Sequence, residues 1–129
     1  MIKWAGWIFV LCGIGHTIGA LTVDHAARYA GAWFGGALWH DDLAAMSSAN
    51  SAYWLSVDSF GPPLVLLGLT VVWLDRRGIT PPPFIGWALL IWTVIDTVVL
   101  PLTPWPIFLL ATILLLVGTY RGNPVLQGR

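Results

Sequence analysis

The chain has 129 residues, of which 57% are hydrophobic and 9% charged, with a mean hydropathy of +0.78. A soluble domain carries about 25% charged residues, so an ordinary soluble globular fold is excluded. Six basic residues balance six acids for a formal net charge of +0, which leaves no basic excess for a nucleic-acid partner.

The length suits one domain, 1–129, of about four helices of roughly 20 residues with short connections. The expected fold class is therefore an all-α integral membrane protein, a four-transmembrane-helix bundle. The first span is predicted over residues 4–23, behind Lys3. It is too long, and lacks the small-x-small cleavage site, for a signal peptide. The single cysteine, Cys12, falls inside it and forms no internal disulfide. Residues 24–51 mix His25, Arg28, His40, Asp41 and Asp42 with alanine, glycine and aromatics. This segment is predicted as a partly helical external loop lying on the membrane surface, with Trp33, Phe34 and Trp39 as its apolar edge. Its histidines and aspartates match no standard ligand spacing, so neither a metal nor any other cofactor is expected.

The second span is predicted over 52–74, with Pro62 and Pro63 withdrawing two helical donors and kinking it. Asp75-Arg76-Arg77-Gly78 and Pro81-Pro82-Pro83 close it with a short turn. The third span is predicted over 84–103 and the fourth over 105–120, divided by Pro101, Pro104 and Pro106. The tail from Arg121 to Arg129 is polar. With four spans, Lys3, Arg76, Arg77, Arg121 and Arg129 share one side and Arg28 alone takes the other. The positive-inside rule then places both termini in the cytoplasm of a multi-pass protein of the bacterial plasma membrane. Trp4, Trp7, Trp73, Trp87 and Trp105 fall near span ends, where interfacial aromatic belts form.

Three ionisable residues stand inside these spans: His16, Asp58 and Asp96. Each costs about 3 kcal/mol or more at the bilayer centre unless it is paired or solvated. At 1.5 Å per residue, His16 and Asp96 lie about 18 Å from the cytoplasmic side and Asp58 about 9 Å from the outer side. In a core about 30 Å thick the three depths coincide within a helical turn. Polar neighbours accompany them: Thr17 beside His16, Ser56 and Ser59 around Asp58, Thr93 and Thr97 around Asp96. Gly13, Gly15, Gly19 and Gly61 permit close backbone approach, and Gly15 and Gly19 match the small-xxx-small packing pattern.

Burial favours the neutral form of an aspartate or a histidine, whereas contact between the two favours the ion pair. Either arrangement gives a group able to exchange protons near neutral pH. His16, Asp58 and Asp96 are thus the candidate catalytic residues of an acid/base enzyme acting on a lipidic or isoprenoid substrate, by isomerisation, cyclisation or epoxide opening. Trp54, Trp92, Thr93 and Thr17 are the candidate substrate-binding residues, the tryptophans because their ring faces shield a developing cation. Two alternatives use the same residues. One is a proton-coupled exporter of hydrophobic cations, related in design to small multidrug transporters. The other is a non-catalytic lipid-binding or accessory membrane subunit, in which the polar groups form an interhelical clasp. The expected partner is a membrane lipid or hydrophobic small molecule, and a chain this small is expected to need a homodimer to enclose a cavity.

Ala52-Tyr53-Trp54-Leu55, the span end Leu74-Asp75-Arg76-Arg77-Gly78, Pro83-Phe84-Ile85-Gly86-Trp87 and Val99-Leu100-Pro101-Leu102-Thr103-Pro104-Trp105 form one pattern, together with His16-Thr17-Ile18-Gly19. With these, the chain resembles a family of small four-span bacterial membrane proteins of unknown function. The resemblance is weakest over 24–51, and Thr103-Pro104 stands where that family has a serine-glycine turn. It implies the four-span fold, points to His16, and supplies no activity.

Overall fold

In the computed structural model, residues 1–122 are described, and the tail beyond Arg121-Gly122 lies outside the described residues. All the regular secondary structure among the described residues is helical, with no strand among them. Helix α1 covers Ile2–Thr22. A 3₁₀ turn (Ala26–Tyr29) and the short α2 (Ala30–Phe34) follow, then α3 (Ser48–Ser56), α4 (Gly61–Arg76), α5 (Pro83–Val99) and α6 (Trp105–Gly122). Three segments are long and apolar enough to cross a membrane: Ile2–Thr22, Ser48–Arg76 and Trp105–Gly122. These are the marks of a membrane protein. Helix α5 is apolar but shorter, 17 residues or about 26 Å.

The chain divides into two compact units, Met1–Cys12 with Val65–Arg129, and Gly13–Leu64. In the first unit, Phe9 from α1, Val71 from α4 and Leu115 from α6 are among its most deeply buried apolar side chains. Helices α1 and α4 meet there through glycine. A Cβ on Gly68 would stand 2.6 Å from the Gly6 carbonyl oxygen, and one on Gly6 would stand 2.9 Å from the Gly68 carbonyl oxygen. Helices α5 and α6 pack together, with the Leu116 side chain seated over Gly86, where a Cβ would come within 2.6 Å of it.

Helix termini explain where each span begins and stops. Gly78 adopts a left-handed φ of 68°. Ile79 N–H reaches the Leu74 carbonyl at 3.0 Å and Gly78 N–H the Asp75 carbonyl at 3.1 Å, the Schellman pattern that uses up the last carbonyls of α4. Helix α5 opens on Pro83, where a missing N–H costs nothing. It stops at Val99, not at Thr103, because Pro101 forces Leu100 out of the helical region (φ −129°, ψ 62°).

The second unit corrects another expectation. Pro62 and Pro63 do not kink a continuous helix; they form the first turn of a new one. Helix α3 ends at Ser56, residues 57–60 are non-helical, and α4 starts at Gly61. A proline in the first turn gives up an N–H that has no intrahelical partner in any case, so starting afresh is cheaper than kinking. The segment 24–51 is partly helical, as expected, and folds against α3. Trp33, expected on an apolar edge, turns inward: its Nε1 donates to the Ala49 carbonyl at 2.8 Å, and its ring meets Tyr53 edge-on at 5.5 Å. Phe34 and Trp39 remain exposed. Ser47 caps α3 by accepting from Asn50 N–H at 3.2 Å.

Candidate functional site

The polar residues singled out in the sequence fall in different settings. His16 and Asp58 belong to the second unit and Asp96 to the first.

His16 lies on α1, six residues from the helix end at Thr22. Its Nε2 lies 3.1 Å from the Leu55 carbonyl oxygen, which requires that nitrogen to carry the proton. The ring stacks on Phe60, with centroids 4.2 Å apart and planes 29° apart. Leu55 lies in the last turn of α3 and Phe60 in the gap before α4. An α-helix that continued through 57–60 would use the Leu55 carbonyl for the N–H four residues on. The break frees that carbonyl, and His16 serves it. This is the geometry of a polar clasp.

Asp58 stands in the gap itself. Its backbone N–H closes a wide turn onto the Tyr53 carbonyl at 3.0 Å, and the residue is exposed. Next to it, Ser59 Oγ donates to the Ser56 carbonyl at 2.7 Å and accepts from Gly61 N–H at 3.2 Å. Gly61 is packed so closely that a Cβ there would collide with Thr17 Oγ1 and stand 2.9 Å from the Gly13 carbonyl oxygen. Thr17 Oγ1 is buried with no hydrogen-bond partner among the described residues. Gly15 and Gly19, by contrast, have nothing within 4 Å of a would-be Cβ. The small-xxx-small pattern therefore marks no packing face among the described residues; Gly6 with Gly68 and Gly13 with Gly61 do.

Asp96 sits in the last turn of α5, three residues or about 5 Å from its end. Its Oδ2 is buried and receives no hydrogen bond from the described residues, and the same holds for Thr97 Oγ1. Leaving such a group unsatisfied costs about 1–3 kcal/mol, more if it is charged. The neighbouring hydroxyl does not help: Thr93, 1% exposed, donates to the Leu89 carbonyl of its own helix at 2.8 Å. Trp92, one turn before Asp96 on the same helix face, packs edge-on against Trp105 with centroids 5.1 Å apart. Trp105 lies a further 5.1 Å from Phe108. Aromatic rings thus accompany the carboxyl at this end of α5 and α6. Trp54, the other tryptophan expected at the site, is exposed on α3 in the second unit.

The loop carboxylates are used locally. Asp42 Oδ1 accepts from Ala44 N–H at 2.8 Å. Asp41 Oδ2 accepts from Ser47 Oγ at 2.9 Å and Ser47 N–H at 3.2 Å, and the Ser47 hydroxyl holds the Asp41 carboxyl below its ordinary range. Among the described residues no group of three or more His, Cys, Asp or Glu is placed to hold a metal ion.

The basic residues expected on one side of the membrane, so far as they are described, are close together in the first unit. Gly118 of α6 lies against the start of α1, its would-be Cβ 3.1 Å from Ile2 N, and Thr80 Oγ1 donates to the Gly122 carbonyl at 3.2 Å. The ends carrying Lys3, Arg76, Arg77 and Arg121 therefore converge at one end of the first unit, with Asp75 as the one acid in those stretches.

Neither the curated proteins nor the solved structures yield a match to the chain. A family model does match, over residues 1–122 and thus through all the helices described above, and the chain belongs to that family, the family of unknown function DUF6463.

Proposed function

We propose that this chain crosses a bacterial plasma membrane four times with both termini in the cytoplasm, and that Asp96 is a proton-exchanging group acting on a lipidic or isoprenoid substrate. The observation that carries the reading is the buried Asp96 Oδ2, unserved by its neighbours, beside the Trp92–Trp105 pair. The gathering of Lys3, Arg76, Arg77 and Arg121 supports the orientation. Helix α5 supplies the fourth crossing, its 17 residues sufficing where it stands nearly upright.

A carboxylic acid in this position can give its proton to the near carbon of a double bond while the resulting carboxylate, or water, takes a proton from the allylic carbon beyond the far one, so that the double bond shifts by one position and the acid is regenerated. Given to an epoxide oxygen, the proton breaks one C–O bond to leave a hydroxyl and a carbocation, which water or a double bond of the substrate then captures. The resulting cation is shielded by the faces of Trp92 and Trp105. The test compares lipid extracts from a bacterial host expressing wild type, Asp96→Asn or no protein. A lipid or isoprenoid species altered by wild type and restored by Asp96→Asn at equal expression is the expected result. Identical extracts from all three overturn the catalytic reading.

The non-catalytic reading is favoured by a different observation, the His16–Leu55–Phe60 clasp. On that reading His16→Ala and Asp96→Asn change only thermal stability in detergent. The exporter reading asks instead for substrate-dependent proton flux in proteoliposomes, abolished by Asp96→Asn.

A further inference from the structure

The α5–α6 pair carries a second feature at the end remote from Asp96. A groove of about 480 Å³ runs between Trp87 and Leu90 of α5 and Ile113 and Val117 of α6. That volume is within the roughly 300–1,000 Å³ of small-molecule sites. From Ile113 to Arg121 the α6 wall spans eight residues, about 12 Å. The groove's walls are apolar. At one end the character changes. Trp87 Nε1 donates to Tyr120 Oη at 3.1 Å, and Arg121 lines the groove beside them. A hydrogen-bonded Trp–Tyr pair next to an arginine is the chemistry of the lipid headgroup layer. An arginine at such a place can lay its apolar stem along the wall and carry its charge to the interface. This is also the end at which Lys3, Arg76 and Arg77 gather. The positive charge there is complementary to one class of amphiphile.

We propose that this groove holds an acyl chain of an anionic phospholipid of the cytoplasmic leaflet, with the lipid phosphate at Arg121. The groove takes the chain and the Trp87–Tyr120 pair marks the level of the glycerol. Arg121 supplies the preference for negative headgroups, since one basic side chain near an anionic surface contributes about 1 kcal/mol. The inference rests on the membrane reading and not on Asp96.

Native mass spectrometry of the full chain in detergent tests it, with equal amounts of dioleoyl phosphatidylglycerol and dioleoyl phosphatidylcholine as competing probes. Wild type is expected to retain phosphatidylglycerol about five-fold over phosphatidylcholine, the ratio that corresponds to ~1 kcal/mol. Arg121→Gln is expected to bring that ratio to about one. Ile113→Trp, at a half-exposed position, fills the groove and is expected to lower retention of both lipids; Val117→Trp does the same should Ile113→Trp fail to fold. Asp96→Asn is expected to change neither, so the groove and the acid/base reading fail separately. A wild-type ratio near one overturns the proposal. So does a preference that survives Arg121→Gln, and so does retention unaffected by either tryptophan.

Discussion

Helix α1 meets α4 twice, once in each unit, and the two meetings are built differently. At Gly6 and Gly68 two unbroken helices touch backbone to backbone, with Val10 and Val72 closing around them. At Gly13 and Gly61 the same device, a missing Cβ, brings α1 to the first turn of α4. Here the neighbours are polar: Thr17 Oγ1, Ser59 Oγ and the Gly13 carbonyl. The dry crossing needs only small residues, because intact helices satisfy their own backbone. A helix that stops and restarts releases carbonyls and N–H groups, and side chains must take them up. Polar residues in this chain therefore have two origins. Some, like His16 and Ser59, serve a break. Asp96 serves no break, which is why it stands apart as the functional candidate.

The largest effects should come from the dry crossing. A leucine at Gly68 must displace the backbone of Gly6 and Val10, and neither can yield without moving a helix. Overpacking of this kind costs about 1–3 kcal/mol and at times more, so Gly68→Leu is expected to lower the thermal midpoint in detergent sharply or prevent folding. Gly61→Ala should cost less, because one of its neighbours, the Thr17 hydroxyl, can rotate away. Gly15→Ala and Gly19→Ala meet open space and should be neutral or stabilising by up to about 1 kcal/mol. If Gly15→Ala were as damaging as Gly68→Leu, the assignment of the packing faces would be wrong.

Next in size is the clasp. His16→Ala removes one hydrogen bond and one ring stack and leaves the Leu55 carbonyl unserved, a loss of about 1–3 kcal/mol. His16→Phe keeps the stack on Phe60 and loses only the hydrogen bond, so it should fall between wild type and alanine. Equal midpoints for wild type and His16→Ala would show that the break is satisfied by other means.

The breaks also mark what the sequence could and could not convey. The three long spans were legible because hydropathy over 18 or more residues needs no knowledge of partners. The end of α5 was legible too, in Pro101, yet the apolar run through Leu102 masked it; the proline outweighed the hydropathy. Gly61-Pro62-Pro63 carried the signature of a helix start as well as that of a kink, and only the stop at Ser56 decides between them. Which glycines pack was legible only in part: Gly13 and Gly61 were expected to allow close approach and do. Gly15 and Gly19 fit a local pattern, while Gly6 and Gly68 are 62 positions apart and fit none. For the candidate site, residue type singled out Asp96 and His16, but the use of each depended on groups distant in sequence.

A smaller effect concerns the loop beside the break. Trp33→Phe keeps the ring contact with Tyr53 and loses the bond to the Ala49 carbonyl. It should leave the midpoint nearly unchanged, since one neutral hydrogen bond contributes about 1 kcal/mol, while raising hydrogen exchange across residues 26–34. Unchanged exchange there would mean the loop is held by its other contacts.

The smallest effect is electrostatic. Asp41 lies outside the spans, and its carboxylate accepts both Ser47 Oγ and Ser47 N–H. The Ser47 hydroxyl is the main cause that holds its pKa below the ordinary value of 3.8. The sign follows from linkage. A carboxyl whose pKa is lower in the folded state contributes stability that is fully present above its unfolded pKa and is lost as pH falls through the folded one. The contact is therefore intact at neutral pH and fails only on acidification below about 4. Because Ser47 also caps α3, losing the Asp41 contact frees the residue that starts the helix. Carboxyl-detected NMR titration of Asp41 should show its midpoint moving up toward the ordinary value in Ser47→Ala. The cap itself is lost in that variant, whereas Asp41→Asn keeps it and removes only the titration. A contact that matters to α3 should therefore give wild type an acid-dependent increase in amide exchange at residues 48–52 that Asp41→Asn lacks. If both proteins lose protection there at the same pH, the Asp41–Ser47 contact is a local feature of the loop with no hold on the helix.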